Sequence, residues 1–290
     1  MASTRRLLVK HRTEFTYAAP ARESVNEVRL GPVDGSRQRV EQARLRVTPD
    51  ADVVESFDAW GNRVWWFQVV EPHEHLVVES ESVVATVCAD RPTSPLRPAD
   101  QWREIQAPAY RHAWADFLLP SGLVHWTDAT ARFADDLAPP PAAGVAEWAA
   151  ELAASLNAAL VYERGHTDTT TTVDGVIAAG HGVCQDFAHV FVALCRLRGV
   201  AAKYVSGWLF EPDRGGPVES HAWTAVQVPG VGWVEQDPTH PGEVGERYVR
   251  IAVGRDYADV VPIRGTYLGG ATVSMNVEVE LRDLGALAPV

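Results

Sequence analysis

The sequence predicts an α+β protein: an amino-terminal antiparallel β domain, sandwich-like, followed by a core with one helix packed on an antiparallel sheet. Residues 5 to about 90 contain the two-residue alternation of strands, as in VEQARLRV at 40–47. From Cys184 onward, apolar residues instead recur at three- and four-residue steps, as in a helix. Strand-like segments return after Gly199, and this order of elements is typical of α+β proteins.

The β domain is assigned to residues 1–97. Residues 60–63 (WGNR) predict a tight hairpin turn, because glycine and asparagine accept the backbone angles that such turns need. We expect Phe57, Trp65 and Phe67 to be buried in this domain. The segment Arg91–Pro98 contains three prolines and predicts a linker.

The catalytic core is assigned to residues 98–290. It divides into a helical lead-in (98–144), the core proper (145–262) and closing strands (263–290). Helices are expected at 99–119, 127–137, 145–160 and from Cys184, the last one capped by Gly199. Strands are expected at 202–209, 221–228 and 232–237.

Composition excludes several classes of function. The formal charge of −12 argues against a nucleic-acid partner, which needs a clustered basic surface. No apolar stretch has the length of a signal peptide or of a membrane span, so we expect a cytoplasmic protein with no membrane partner. Three cysteines cannot make a disulfide framework, and a reducing cytoplasm would keep a reactive thiol available.

Cys184 is the candidate nucleophile. A thiol with an ordinary pKa of about 8.5 is mostly protonated at neutral pH, and a helix amino terminus stabilises the thiolate. Residues 180–183 (GHGV) form a flexible lead-in to the helix that Cys184 begins. An inert buried cysteine is the alternative, and it is our interpretation of Cys88 and Cys195.

A thiolate also needs an imidazole that can protonate the leaving group, and an acceptor that orients that imidazole. His221 and Asp237 lie on consecutive predicted strands joined by the turn 229–231 (PGV), which brings them within side-chain reach. The simpler alternatives are a packed strand histidine and an aspartate that ends a strand before Pro238.

Together these motifs resemble the bacterial transglutaminase-like family, whose core is similar to papain-type cysteine proteases. The core motifs are GVCQDFAH at 182–189, YVSG at 204–207, SHAW at 220–223 and DPT at 237–239. The β domain often attached to this core is resembled by four motifs: HRT at 11–13, NEVRL at 26–30, WGN at 60–62 and PHEHL at 72–76. The closing segment of the core is resembled by VGRDYADV at 253–260. The chain departs from the family at Trp60, where a smaller aromatic is usual, and at His240, where asparagine is common.

The resemblance implies Cys184 as nucleophile, His221 as base and acid, and Asp237 as orienting carboxylate. It also implies a thioester intermediate and no cofactor. The substrate is then a peptide, a protein or a small amide, and hydrolysis of a peptide or isopeptide bond is favoured over transglutaminase-type transfer to an amine. A non-catalytic binding module of the same fold is the rival class, and it usually lacks a triad member, whereas all three residue types are present here.

Three further residues are candidate substrate contacts: Trp208, Trp223 and Asp186. Tryptophans beside a sheet are more often core residues, and an aspartate in a first helical turn is favoured by the helix dipole without any substrate. His181, Cys184, His189 and His240 could suggest a zinc site, but no second paired motif follows His181-x-x-Cys184, so no metal is predicted. The acyl donor and acceptor, self-association and the role of the β domain stay open at this level.

Overall fold

The computed structural model describes residues 4–88, 93–212, 219–242 and 244–285. Part of the proposed linker Arg91–Pro98 lies outside these ranges, and the first helix begins at Pro98. No helix within the described ranges is long and apolar enough to span a membrane.

The elements alternate as the sequence predicts, with strands first, then helices, then strands again. The first strands are β1 (Thr4–Gly31), β2 (Gln38–Thr48), β3 (Val53–Phe57), β4 (Arg63–Val69) and β5 (His73–Val87). The middle of the chain contains α1 (Pro98–Ile105), α2 (Pro108–Ala113), α3 (Asp128–Leu137), α4 (Val145–Ala159), β6 (Val161–Tyr162), α5 (Val173–Ala179), β7 (His181–Gly182) and α6 (Cys184–Leu197). The last strands are β8 (Ala202–Leu209), β9 (Ser220–Val228), β10 (Gly232–Gln236), β11 (Tyr248–Gly254), β12 (Ile263–Leu268) and β13 (Thr272–Asp283).

Strand β1 organises the amino-terminal domain. Its first half pairs with β5 and β13, and its second half pairs with β4 and β12, all antiparallel. The pairing register shifts around residues 16–25, where Glu23 has a positive φ of 52°. Strand β2 pairs with β5, and β3 pairs with β4. One long strand is therefore shared by both halves of the domain.

Of the three aromatic residues expected to be buried in this domain, two are buried and one is exposed. Trp65 and Phe67 are buried at 3% exposure each, as predicted. Phe57 is 59% exposed, so that prediction is wrong. It ends strand β3, whose only partner in the described structure is β4, and its ring instead lies beneath the guanidinium of Arg63.

The closing strands β12 and β13 lie in the sheet of the amino-terminal domain. The sequence analysis grouped residues 263–290 with the catalytic core, but both strands pair with β1. Pairing with a distant strand leaves no local signal in the sequence, because the period of a strand is the same whichever neighbour it takes. The domain thus combines the two ends of the described chain.

The core of the second half is α6 packed against a sheet with the order β10-β9-β8-β11. The apolar stripe of α6 is completely buried and consists of Phe187, Val190, Phe191 and Leu194. Helix α6 ends at Leu197 with Arg198 as its C-cap residue, and Gly199 follows with a φ of +75°, as the sequence predicts. The α+β prediction is confirmed. Helix α5 was not predicted, because its threonine-rich start and Gly175 obscure the periodicity.

Candidate active site

Cys184 is the first residue of α6. The preceding residues are held in place rather than flexible, since β7 pairs with β6 in the register Val161 to His181. The backbone N–H groups in the first turn of a helix have no partner within the helix, and they stabilise a nearby anion together with the helix dipole. Cys184 therefore lies at the positive end of the α6 dipole, and the residue is partly exposed.

Asp186 secures this helix start. Its Oδ2 accepts hydrogen bonds from the backbone N–H of Val183 at 2.8 Å and from Thr167 Oγ1 at 2.6 Å. Burial raises the pKa of this carboxyl, although both hydrogen bonds oppose the increase. Gly182 is required here, because a Cβ at this position would lie 2.7 Å from Cβ of Asp186. The contacts of Asp186 are those of a helix cap, one of the two roles considered for it.

His221 lies on β9, and Asp237 directly follows β10, the next strand of the same hairpin. Nε2 of His221 lies 2.7 Å from Oδ2 of Asp237. Both side chains are buried, at 8% and 0% exposure. The structure thus brings together the base and the orienting carboxylate that the sequence predicts.

The Asp237 carboxylate accepts several further hydrogen bonds. Tyr248 Oη donates to Oδ2 at 2.9 Å, and Nδ1 of His240 lies 3.3 Å from the same oxygen. The backbone N–H groups of Thr239 and His240 donate to Oδ1. Burial alone would raise the pKa of Asp237, but its hydrogen bonds with His221 and His240 hold that pKa far below its usual range.

The imidazole of His221 is held between two partners. Burial lowers its pKa, but hydrogen bonds with Asp237 and Cys184 outweigh burial and raise the pKa to about 10. Because Nε2 faces Asp237, Nδ1 is the nitrogen available to the thiol. The environment therefore favours an imidazolium beside Cys184, the partner that a thiolate needs.

The two candidate tryptophans have different positions. Trp223 is fully buried and stacks against the His221 ring, with centroids 5.9 Å apart and planes 21° apart. Trp208 is also buried, at 2% exposure, and is one of the residues that line the cleft containing Cys184. Gly207 pairs with His221 across the sheet, and a Cβ there would lie 2.1 Å from the carbonyl oxygen of Val249. Trp223 thus supports the histidine, while Trp208 faces the space that a substrate could occupy.

A cleft of about 610 Å³ opens beside Cys184. Its walls come from both domains: Trp208 belongs to the core, Phe15 to β1, and Met275 and Val277 to β13. The sequence analysis did not identify the β-domain side of the cleft. The alternation of apolar residues along β13 was the available signal, but it does not show which surface the strand faces.

Among the described residues, His221, Asp237 and His240 form a group whose ligand atoms all lie within 4.8 Å of one another. Their mutual hydrogen bonds account for this proximity. His181 and His189, considered for zinc at the sequence level, lie elsewhere: His181 packs against His166, and His189 Nε2 accepts from the backbone N–H of Tyr257.

Comparison with known proteins agrees with this architecture. Residues 7–85 match the bacterial transglutaminase-like N-terminal region, and residues 131–238 match the transglutaminase-like superfamily. The fold and the site define a transglutaminase-like protein with an attached β domain. The chain belongs to the bacterial transglutaminase-like family.

Similar proteins occur in mycobacteria. An uncharacterized protein of Mycobacterium leprae is 34% identical over 96% of this chain and 99% of its own length. One from Mycobacterium tuberculosis is 35% identical over 97% of this chain and 94% of its own length. A solved structure from Cytophaga hutchinsonii, described as that of a candidate cysteine protease, aligns with a TM-score of 0.78 over 100% of this chain and 94% of that one, at 21% identity. This last likeness shows the fold.

Proposed function

We propose that the protein is a cysteine-dependent acyl-transfer enzyme that uses Cys184, His221 and Asp237, and that it hydrolyses a peptide or isopeptide amide. The observation that carries the proposal is the position of His221, whose Nε2 lies 2.7 Å from Oδ2 of Asp237 and whose pKa is raised by Asp237 and by Cys184. Family membership supports cysteine-dependent catalysis in general. The geometry favours the particular residues.

In the first step, the Cys184 thiolate attacks the amide carbonyl carbon, and the C=O π electrons move to oxygen. The backbone N–H of Cys184 is suited to stabilise that oxyanion, because it is at the start of α6 and has no partner within the helix. The C–N bond then breaks as His221 transfers its proton to the departing nitrogen. The products of this step are a thioester on Cys184 and a free amine.

In the second step, neutral His221 removes a proton from water, and the hydroxide equivalent attacks the thioester carbonyl. The C–S bond breaks, the carboxylic acid leaves, and the thiolate–imidazolium pair is restored. Asp237 keeps Nδ1 of His221 directed at the reacting groups through its bond to Nε2. A primary amine in place of water would give transglutaminase-type transfer with the same residues.

The first test is active-site labelling with iodoacetamide. Cys184→Ala is expected to abolish the fast-labelling site, while Cys88→Ser, at the other partly exposed cysteine, is expected to keep it. Circular dichroism checks that both variants fold. Fast labelling of Cys184→Ala at the wild-type rate would rule out Cys184 as the nucleophile.

The second test distinguishes the two fates of the thioester. A library of peptide and isopeptide amides is incubated with and without an added primary amine, and the products are identified by mass spectrometry. Hydrolysis predicts a new carboxylate even when the amine is present. A predominant amine adduct would favour transfer, and no turnover with intact labelling would favour the binding-module alternative.

A further inference from the structure

The cleft beside Cys184 has a rim of paired charges. Arg164 Nη1 donates to Glu219 Oε1 at 2.7 Å. Arg29, also at the cleft, is paired with Glu27 and, at 3.1 Å, with Asp58, although its buried Nη1 has no hydrogen-bond partner among the described residues. Charges that already have partners offer little additional attraction to a charged substrate.

The one histidine that lines this cleft is also uncharged near neutral pH. Burial lowers the pKa of His11 to about 4, and its Nε2 lies 2.9 Å from Thr13 Oγ1. Its ring lies 6.0 Å from that of Trp208. The interior wall formed by His11 and Trp208 is therefore neutral.

On the same face of the sheet as His11, strand β13 presents apolar side chains to the cleft. Met275 and Val277 line the cleft, yet they are 62% and 47% exposed, and Phe15 pairs with Met275 from β1. Within the described structure, β13 pairs only with β1, so its other edge carries no partner strand. Large apolar side chains that are exposed at alternate positions on one face of such an edge strand mark a surface that binds a ligand or another protein segment.

We propose that the acyl donor carries a large apolar side chain next to the scissile amide, and that this side chain packs against Met275, Val277 and Trp208. The inference rests on the proposed function, and it names the substrate class for the same site. The substrate is the occupant that the structure favours, because this face lines the same cleft as Cys184.

A panel of otherwise identical peptide amides tests the preference. The residue next to the scissile bond is varied among leucine, phenylalanine, serine and glutamate. Leucine or phenylalanine is expected to raise kcat/KM at least about tenfold over serine, the size of effect typical of an apolar pocket. Equal kcat/KM for all four, or a preference for glutamate, would overturn the inference and leave the proposed function intact.

Variants of β13 test the contact itself. Met275→Ser and Val277→Thr are expected to lower kcat/KM for the leucine substrate about tenfold and to lower it much less for the serine substrate. Val273→Ser is the matched control, because Val273 lies on the same strand and face, is 64% exposed and does not line the cleft. Iodoacetamide labelling of Cys184 is expected to stay at the wild-type rate in all three. Loss of activity toward both substrates, or an equal effect of Val273→Ser, would contradict the contact.

A binding measurement separates failure of the inference from failure of the proposed function. Calorimetry with Cys184→Ala is expected to show tighter binding of the leucine peptide than of the serine peptide, and Met275→Ser in that background is expected to remove the difference. If the wild type cleaves nothing but this difference is found, the proposed function fails, while the packing of an apolar side chain against Met275 is still supported. Light scattering that shows a dimer dissociated by Met275→Ser would assign the face to a second copy and overturn the inference.

Discussion

Nε2 of His221 lies 2.7 Å from Oδ2 of Asp237, and this contact determines which imidazole nitrogen faces Cys184. It also contributes to the raised pKa of His221, about 10, because the carboxylate stabilises the imidazolium form. The Asp237 contact therefore sets the orientation of the His221 imidazole and contributes to its positive charge. Four predictions depend on the surroundings of this pair.

Asp237→Asn is expected to reduce kcat/KM by about a hundredfold or more, as when the orienting carboxylate of a triad becomes an amide. The remaining activity should fall off at a lower alkaline pH than that of the wild type, because the His221 imidazolium is no longer stabilised by a carboxylate. The measurement is a pH–rate profile of both proteins. A variant whose alkaline limb coincides with that of the wild type would contradict the role of Asp237.

In the wild type, the alkaline limb of kcat/KM is expected above pH 9. The pKa of His221 is about 10, raised from an ordinary value of 6.5, so the imidazolium persists through neutral pH. The same increase contributes stability that is fully present below about pH 6.5 and is lost as the pH rises through about 10. Denaturant unfolding at several pH values, compared with His221→Gln, checks this part. The stability advantage of the wild type over His221→Gln is expected to shrink as the pH rises to 10. An advantage that grows over this range would contradict the raised pKa of His221.

Tyr248→Phe is expected to lower the free energy of unfolding by about 1.5–3 kcal/mol, the range for a hydrogen bond to a charged group. The variant removes the donor that lies 2.9 Å from Oδ2 of Asp237 in a buried site. Tyr267→Phe is the control, since it removes a hydroxyl whose partner, Thr272, is exposed. An equal decrease in the free energy of unfolding in the two variants would show that the hydrogen bond to Asp237 stabilises the protein no more than an exposed one.

Gly182→Ala is expected to destabilise the protein and to slow labelling of Cys184. The added Cβ would lie 2.7 Å from Cβ of Asp186 and 2.8 Å from its Oδ2, so the helix cap must move. Gly122→Ala introduces a methyl group whose nearest neighbour is 4.0 Å away and serves as the control. Labelling at the wild-type rate in Gly182→Ala would show that the cap does not position the thiol.

Much of the site follows from local sequence. Cys184 begins a helix because apolar residues recur at helical steps after it, and Gly199 ends that helix. His221 and Asp237 face each other because a short turn joins their strands, and hairpin pairing is a local property. These features depend on residues close together in the chain, so periodicity and turn residues predict them.

The sequence by itself determined the order of elements, the helix start at Cys184 and the hairpin that carries His221 and Asp237. Only the tertiary structure decided that Tyr248 donates to Asp237 and that β13 joins β1 to form a wall of the cleft. Residues Thr13 and Val277 pair although most of the chain separates them, and strands of the same period can take many partners. The packing of the whole chain selects among those pairings, so the proposed catalytic residues follow from local sequence while the cleft around them does not.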